Sequence, residues 1–296
     1  MAQHLLAIEG MPRTQIEALL QRASQWRSGE LYHRPLNGRV VANLFYEPST
    51  RTRSSFEIAA ASLGAHVLNW TVAGSSASKG ETLVDTARNI AAMGPAAIVV
   101  RHASSGAAAL VASRVKCAVI NAGDGQHEHP SQALLDAFVL KQRWGSLDGK
   151  RVVIVGDLLH SRVARSNLHC LSALGAKVTF CGPPTLLPAF VDKLGVDVTF
   201  DFDASLVAAD AVMMLRLQRE RQHEALVPAA HDYTRRYGLT VERATRLKPG
   251  ALVLHPGPIN RGLEIDPEVA DGPHSVILHQ VADGVAVRRA VLEATA

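Results

Sequence analysis

Between residues 45 and 57 the sequence reads FYEPSTRTRSSFE, and two arginines, two threonines and three serines fill the seven positions from Ser49 to Ser55. If a helix starts there, its first turn offers unpaired backbone N–H groups and a partial positive charge. An anion at such a terminus meets donors already aimed at it. The hydroxyls of Ser49, Thr50 and Thr52 add further donors, and the planar guanidinium of Arg51 adds bidentate contacts that lysine cannot make. Helix capping by Ser49 or Thr50 would account for one hydroxyl, not for the cluster. The pattern therefore predicts a phosphate pocket. It is not a GxxxxGK[ST] loop, and the turn GDLLHS after VVIVG lacks the GxGxxG of a dinucleotide site.

The elements that must position this cluster are legible as apolar runs. VVANLFY (40–46), HVLNW (66–70), AAIVV (96–100), CAVI (117–120), VVIVG (152–156), KVTFC (177–181), AVMML (211–215) and ALVL (251–254) read as strands. Most are continuously apolar, as strands covered on both faces are. Helical patterns lie between many of them, so the fold class is α/β, with two doubly wound parallel-sheet domains of similar architecture. Two segments echo each other, LFYEPSTRTRSSFEIAAASLGAHVLNW and VVIVGDLLHSRVARSNLHCLSALGAKVTFC. Each reads strand, polar turn, helix, glycine, strand, and Gly64 and Gly175 fall where a left-handed residue would end the helix. We expect a first domain over 1–130, a second over 131–281, and a C-terminal helix over about 282–296 packing back on the first. SQALLDAFVLKQRWG is the expected joining helix, with Leu134, Leu135 and Phe138 on one face and Pro130 in its first turn. Ile16, Leu19, Leu20 and Ala23 space out one buried face of an earlier helix.

Open parallel sheets bind ligands outside the carboxyl ends of their strands. The polar residues after those ends are Glu47 with STRTRSS, then Arg101, then NAGDGQHEHPSQ, DLLHSR, Arg216 with Gln218, and HPGPINR. Their joint placement predicts a cleft between the domains that holds a small molecule with several negative charges.

Bulk composition narrows the classes. The chain has 296 residues, 47% hydrophobic and 20% charged, with a formal net charge of +4. No run of five like charges occurs and aromatics make up 5%, so nucleic acid is not the expected partner. No apolar run approaches the roughly 18 residues of a membrane span, and the N-terminus lacks the pattern of a signal peptide. Cys117, Cys170 and Cys181 form no CxxC pair and read as reduced core thiols, which fits a cytoplasmic protein. HEH at 127–129, with no third ligand nearby, is a poor zinc pattern.

STRTRSSFE, SKGETLVDT, VVRH, HEHPSQALLD, VGDLLHSR, MLRLQRER and HPGP, in that order from about residue 35 onward, together resemble the aspartate carbamoyltransferase family. STRTR and HPxQ are shared by carbamoyltransferases in general, whereas SKGET and RLQRER separate the aspartate enzymes from the ornithine ones. The resemblance implies transfer of a carbamoyl group from carbamoyl phosphate to the α-amino group of L-aspartate, without cofactor or metal. It implies that Ser49, Thr50, Arg51 and Thr52 hold the phosphate, with Arg101 reaching phosphate and carbonyl oxygen. His129, expected to be neutral, would donate to that oxygen, and Gln132 would position the carbamoyl amide. Arg51, Thr52, Arg101 and His129 are thus the expected catalytic set. Arg162, Arg216 and Gln218 would hold aspartate, and Gly257 and Pro258 would supply backbone oxygens near the amine. The loop AGSSASKGE implies a homotrimer with shared active sites, in which Ser75 and Lys79 reach a neighbouring site. Glu47, Arg162 and Arg221 match residues of ion pairs between domains.

HPGPINRG departs from the HPLPR form of family members that bind regulatory chains, and Gly257 is expected to loosen that turn. A regulatory chain or dihydroorotase as partner stays open. So do two other functions: another amino-acid acceptor such as ornithine, or a non-catalytic scaffold for dihydroorotase. Arg216 with Gln218 favours an acidic acceptor.

Overall fold

The computed structural model describes residues 4–71, 80–218 and 230–296, and within them the chain forms two compact units. Unit 1 comprises Met1–Phe138 and Val281–Ala296; unit 2 comprises Val139–Gln280. No helix among the described residues is long and apolar enough to cross a membrane.

Unit 1 opens with α1 (Arg13–Ser28), which buries Ile16, Leu20, Ala23 and Trp26 along one stripe. Then follow β1 (Val40–Phe45), α2 (Thr50–Ser62), β2 (His66–Thr71), α3 (Leu83–Ala92), β3 (Ala97–His102), α4 (Ala107–Ala112), β4 (Ala118–Asp124) and α5 (Pro130–Trp144). The strands make one parallel sheet in the order β2-β1-β3-β4. Its core joins Leu44, Ile98, Val100, Val111 and Val119. The edge strand β2 is largely exposed, whereas β4 is buried along its whole length. β4 runs four residues past the expected CAVI, through Asp124, although Asn121 and Asp124 are polar. They are tolerated because they are bonded: Asn121 Nδ2 donates to Asp124 Oδ1 at 2.7 Å, and Asp124 Oδ2 accepts from Gly106 N at 2.7 Å. Arg101 likewise lies within β3 rather than after it. α5 differs from the expected one-faced helix, since Ser131 to Leu140 are all buried.

Unit 2 contains β5 (Arg151–Val155), α6 (Arg162–Ala173), β6 (Lys177–Cys181), β7 (Asp197–Thr199), α7 (Phe202–Ala208) and β8 (Ala211–Met214). After these come α8 (Ala230–Tyr237), α9 (Val241–Ala244), β9 (Leu252–Leu254), α10 (Pro267–Ala270) and the start of α11 (Ile277–Thr295). The five strands pair in parallel as β7-β6-β5-β8-β9. Val155, Val212, Met214, Phe202 and Tyr233 are among the residues of its core. The left-handed glycines after α2 and α6 are as expected, with φ of +90° at Gly64 and +86° at Gly175. A Cβ at Gly175 would also lie 2.1 Å from Asp148 Oδ1.

The remainder of α11 belongs to unit 1 and is clipped to α1 by Glu293. Its carboxylate accepts from Arg22 Nε and Trp26 Nε1, both at 2.8 Å, and lies 2.8 Å from His33 Nε2. Burial pushes this carboxyl up, but the bonds from Arg22, His33 and Trp26 outweigh it and bring it down to about 2. A carboxyl depressed on folding contributes stability above its unfolded value, and loses that contribution as pH falls through its folded value. Glu293→Gln should therefore cost about 1.5–3 kcal/mol at pH 7, the range for charged hydrogen bonds. The deficit against wild type should shrink as pH falls from about 4.5 towards 2. Urea unfolding of both proteins across that range checks this, and a deficit independent of pH would contradict it.

Candidate active site

The phosphate turn of unit 1 follows β1. Ser49 occupies the N-cap of α2 in an extended conformation, and its side chain makes no capping bond. The hydroxyl is therefore not consumed by the helix. Thr50 and Arg51 are exposed in the first turn, while Thr52 is buried. Thr52 and Phe56 share the buried face of α2, which fixes where that turn points.

Arg101 pairs in register with Phe45 of β1, and its carbonyl accepts from Tyr46 N–H at 2.8 Å. Its guanidinium donates from Nη1 to Ala122 O at 3.3 Å, and Nε lies 3.4 Å from Glu47 Oε2. A side chain held by β4 on one side and by Glu47 on the other has little rotamer freedom left. Next to it, burial draws the His102 imidazole below its usual pKa, with Glu47 and Asp124 opposing the shift. His129 immediately precedes α5 and is 4% exposed. Gln132, one turn on, is also buried and donates from Nε2 to Asp136 Oδ1 at 2.8 Å. The segments carrying these residues follow or end β1, β3 and β4, which are neighbours in the sheet. The structure thus brings Ser49–Thr52, Arg101, His129 and Gln132 to the carboxyl edge of one sheet.

HEH serves two other purposes as well. His127 Nδ1 lies 3.1 Å from Asp124 Oδ2. Glu128 accepts from the backbone N–H groups of Ile8 at 2.8 Å and Glu9 at 2.9 Å, stapling the N-terminal segment to the unit.

In unit 2, the segments after β5, β8 and β9 carry the residues expected at the acceptor. These strands are also adjacent. Arg162 opens α6 and is buried, and Ser161 caps that helix by accepting from Ala164 N–H at 3.1 Å. Asp157, fully buried, lies 2.8 Å from His160 Nδ1 and accepts from Gln218 N–H at 3.3 Å. Gln218 Nε2 in turn donates to His160 O at 3.2 Å. Arg216 and Gln218 are half-buried and flank the buried Leu217.

The turn at Gly257 is tied down rather than loosened. Gly257 N–H donates to His255 Nδ1 at 2.7 Å. The imidazole proton must then sit on Nε2, which lies 3.1 Å from Glu264 Oε1. The same oxygen accepts from Asn260 N–H at 2.6 Å, and Asn260 Nδ2 reaches Leu217 O at 3.5 Å. Gly257 has φ of +63° and the Gly257–Pro258 bond is cis. Sequence reading missed Asp136, Asp157, His160 and Glu264 as supports, although the quoted motifs HEHPSQALLD and VGDLLHSR contain three of them. Ser75, Lys79 and Arg221 lie outside the described residues.

Two family models cover nearly the whole chain: the carbamoyl-phosphate-binding domain of aspartate/ornithine carbamoyltransferase over residues 3–142, and the Asp/Orn-binding domain over 148–295. The chain belongs to the aspartate/ornithine carbamoyltransferase family. It is 66% identical over 293 residues to the aspartate carbamoyltransferase catalytic subunit of Myxococcus xanthus, covering 98% of each chain. It is 55% identical to the protein of the same name in Methylorubrum extorquens, covering 99% of this chain and 95% of that one. Among solved structures it is similar to aspartate transcarbamoylase from Trypanosoma cruzi in complex with carbamoyl phosphate and aspartate. That likeness has a TM-score of 0.89 at 29% identity and covers 99% of this chain and 97% of that chain. Ornithine carbamoyltransferase from Pyrococcus furiosus is similar at a TM-score of 0.87 and 28% identity, covering 98% and 96%. The shared fold therefore does not separate the two acceptors within the family, whereas the high-identity relatives carry the aspartate name.

Proposed function

We propose that this protein transfers the carbamoyl group of carbamoyl phosphate to the α-amino group of L-aspartate, giving N-carbamoyl-L-aspartate and phosphate for pyrimidine biosynthesis. The observation that carries the reading is the convergence of Ser49–Thr52, Arg101 and His129 on neighbouring strand ends, with the Ser49 hydroxyl left unspent by its own helix.

The aspartate amine attacks the carbonyl carbon and an N–C bond forms. The carbonyl oxygen becomes negative in the tetrahedral intermediate. Arg101, His129 and the Thr52 hydroxyl donate to that oxygen, and each such donor is typically worth about 100- to 1000-fold in rate. The C–O bond to phosphate then breaks, while Ser49, Thr50 and Arg51 hold the departing phosphate. The amine proton leaves with that phosphate, which is basic enough to accept it. Holding both substrates together supplies roughly a further 7–11 kcal/mol. Arg162, Arg216 and Gln218 receive the aspartate carboxylates, and the carbonyls of Gly257 and Pro258 accept from its amine.

Ser75 and Lys79 complete a neighbouring subunit's site in a cytoplasmic homotrimer. The test gives purified protein labelled carbamoyl phosphate with L-aspartate or L-ornithine in parallel, with gel filtration of the same sample. Label in carbamoyl-aspartate from a trimeric sample is expected. Label in citrulline would move the acceptor to ornithine and overturn the roles of Arg216 and Gln218. No transfer by folded trimer would favour the scaffold.

A further inference from the structure

Gln132 can face a carbamoyl group with either end of its amide, and only one end is useful. The –NH₂ of a carbamoyl group is a hydrogen-bond donor, so it needs the carbonyl oxygen of the glutamine and is repelled by its –NH₂. Asp136 decides between them. It lies one helical turn further along α5, is fully buried, and accepts from Gln132 Nε2 at 2.8 Å. An ionised carboxylate can only accept, so the nitrogen end of Gln132 must face it and the oxygen end, Oε1, lies outside that bond.

A buried cation of the same unit carries the charge opposite to that of this carboxylate and interacts with it electrostatically. Arg288, on α11, is 3% exposed and donates from Nη1 to Ser55 Oγ at 3.1 Å and to Gly284 O at 3.0 Å. Its guanidinium also stacks 5.2 Å from the Phe56 ring centroid. Burial draws its pKa down to about 10, with Asp136 opposing that shift and Arg51 adding to it, so it stays charged at neutral pH. Arg288 therefore links α11 to the helix that carries the phosphate turn, and its charge is felt by the carboxylate that accepts from Gln132.

We propose that Asp136 is the specificity-determining positioning residue of the donor half-site: by fixing the Gln132 amide with its oxygen outward, it selects a carbamoyl group over an acyl group of the same shape. The inference rests on the carbamoyl phosphate reading above. Acetyl phosphate is the matched probe, since a methyl group replaces the amide nitrogen while the phosphate and the carbonyl are unchanged. Asp136→Asn is nearly isosteric, but its amide donates as well as accepts, so Gln132 is free to turn over.

The experiment measures KM for carbamoyl phosphate and the competitive Ki of acetyl phosphate in wild type and Asp136→Asn, with L-aspartate as acceptor. The ratio of Ki to KM reports discrimination. A role confined to stability would scale both constants together and leave the ratio alone. We expect Asp136→Asn to lower the ratio by about 10- to 100-fold, the loss of one oriented hydrogen bond in a buried site. A folded variant whose ratio stays within a factor of two of wild type overturns the proposal. If the single variant does not fold, because Arg288 is left as a buried charge without its counter-ion, Asp136→Asn combined with Arg288→Met removes that charge and is judged by the same ratio. Failure of wild type itself to use carbamoyl phosphate would overturn the underlying reading, whereas wild-type transfer with an unchanged variant ratio would overturn the Asp136 assignment alone.

Discussion

Arg51→Ala should lower kcat by about 100- to 1000-fold, the cost typical of removing one preorganised charge-stabilising donor. Arg51 is the second residue of α2 and its side chain is exposed, so the core loses no packing. The nearby Arg288 loses a like-charged neighbour rather than a partner. Folding stability should therefore fall by no more than about 1 kcal/mol, the upper end for a polar interaction at an exposed side chain. The rate falls because negative charge gathers on the departing phosphate, where the planar fork would have met it with two bonds at once. Steady-state kinetics beside a thermal melt separates the two effects. Near-normal kcat and KM for carbamoyl phosphate in a folded variant would sink the phosphate-pocket assignment.

Phe56→Ala should have the opposite profile, costing about 3–5 kcal/mol of stability. Phe56 is fully buried, one turn beyond Thr52 on the inward face of α2, with Ala59 and Ala60 completing that face. Its neighbours on the helix are small, so the space it leaves cannot be filled from α2 itself. The ring is also the surface over which the buried Arg288 guanidinium lies, and that contact disappears with it. Urea unfolding measures the loss. A cost below about 1 kcal/mol would mean that α2, and the phosphate turn with it, is anchored by something other than this ring.

The parts of the fold that were legible in the sequence are those whose cause is local. Gly64 and Gly175 follow helices in positions that only a left-handed residue fills, and both adopt positive φ. The central strands show as largely apolar runs because both faces are covered. β7 was not legible: its three residues, Asp197–Thr199, are too few and too polar to show a pattern. The end of β4 was misread for a related reason. Asn121 and Asp124 look like loop residues until their partners are known, and those partners include Leu6 and Gly106, far away in the chain.

The same division runs through the site. The donors that would face a ligand declare themselves by type, as arginines and hydroxyls crowded after strand ends. The groups behind them do not. Asp136, Asp157 and Glu264 are acids in otherwise apolar or loop sequence, and what makes each one a support is a bond made in three dimensions. Arg288 is the extreme case, since its bond to Ser55 spans 233 residues. A reading that follows spacing finds what points outward and overlooks what holds it there.

The clip between α1 and α11 bears on how the chain comes off the ribosome. Unit 1 is written in two pieces, with all of unit 2 between them. Trp26 and Arg22 emerge early, but Glu293, the acid that both of them bond, emerges more than 260 residues later. During synthesis the first sheet can pair its strands, yet the surface that Val287, Ala290 and Val291 will cover stays open. The Ser55 hydroxyl and the Phe56 ring wait equally long for Arg288. Vectorial translation therefore finishes unit 2 first and closes unit 1 last, so the nascent chain is longest at risk of sticking to its neighbours on the face that its own tail will later seal.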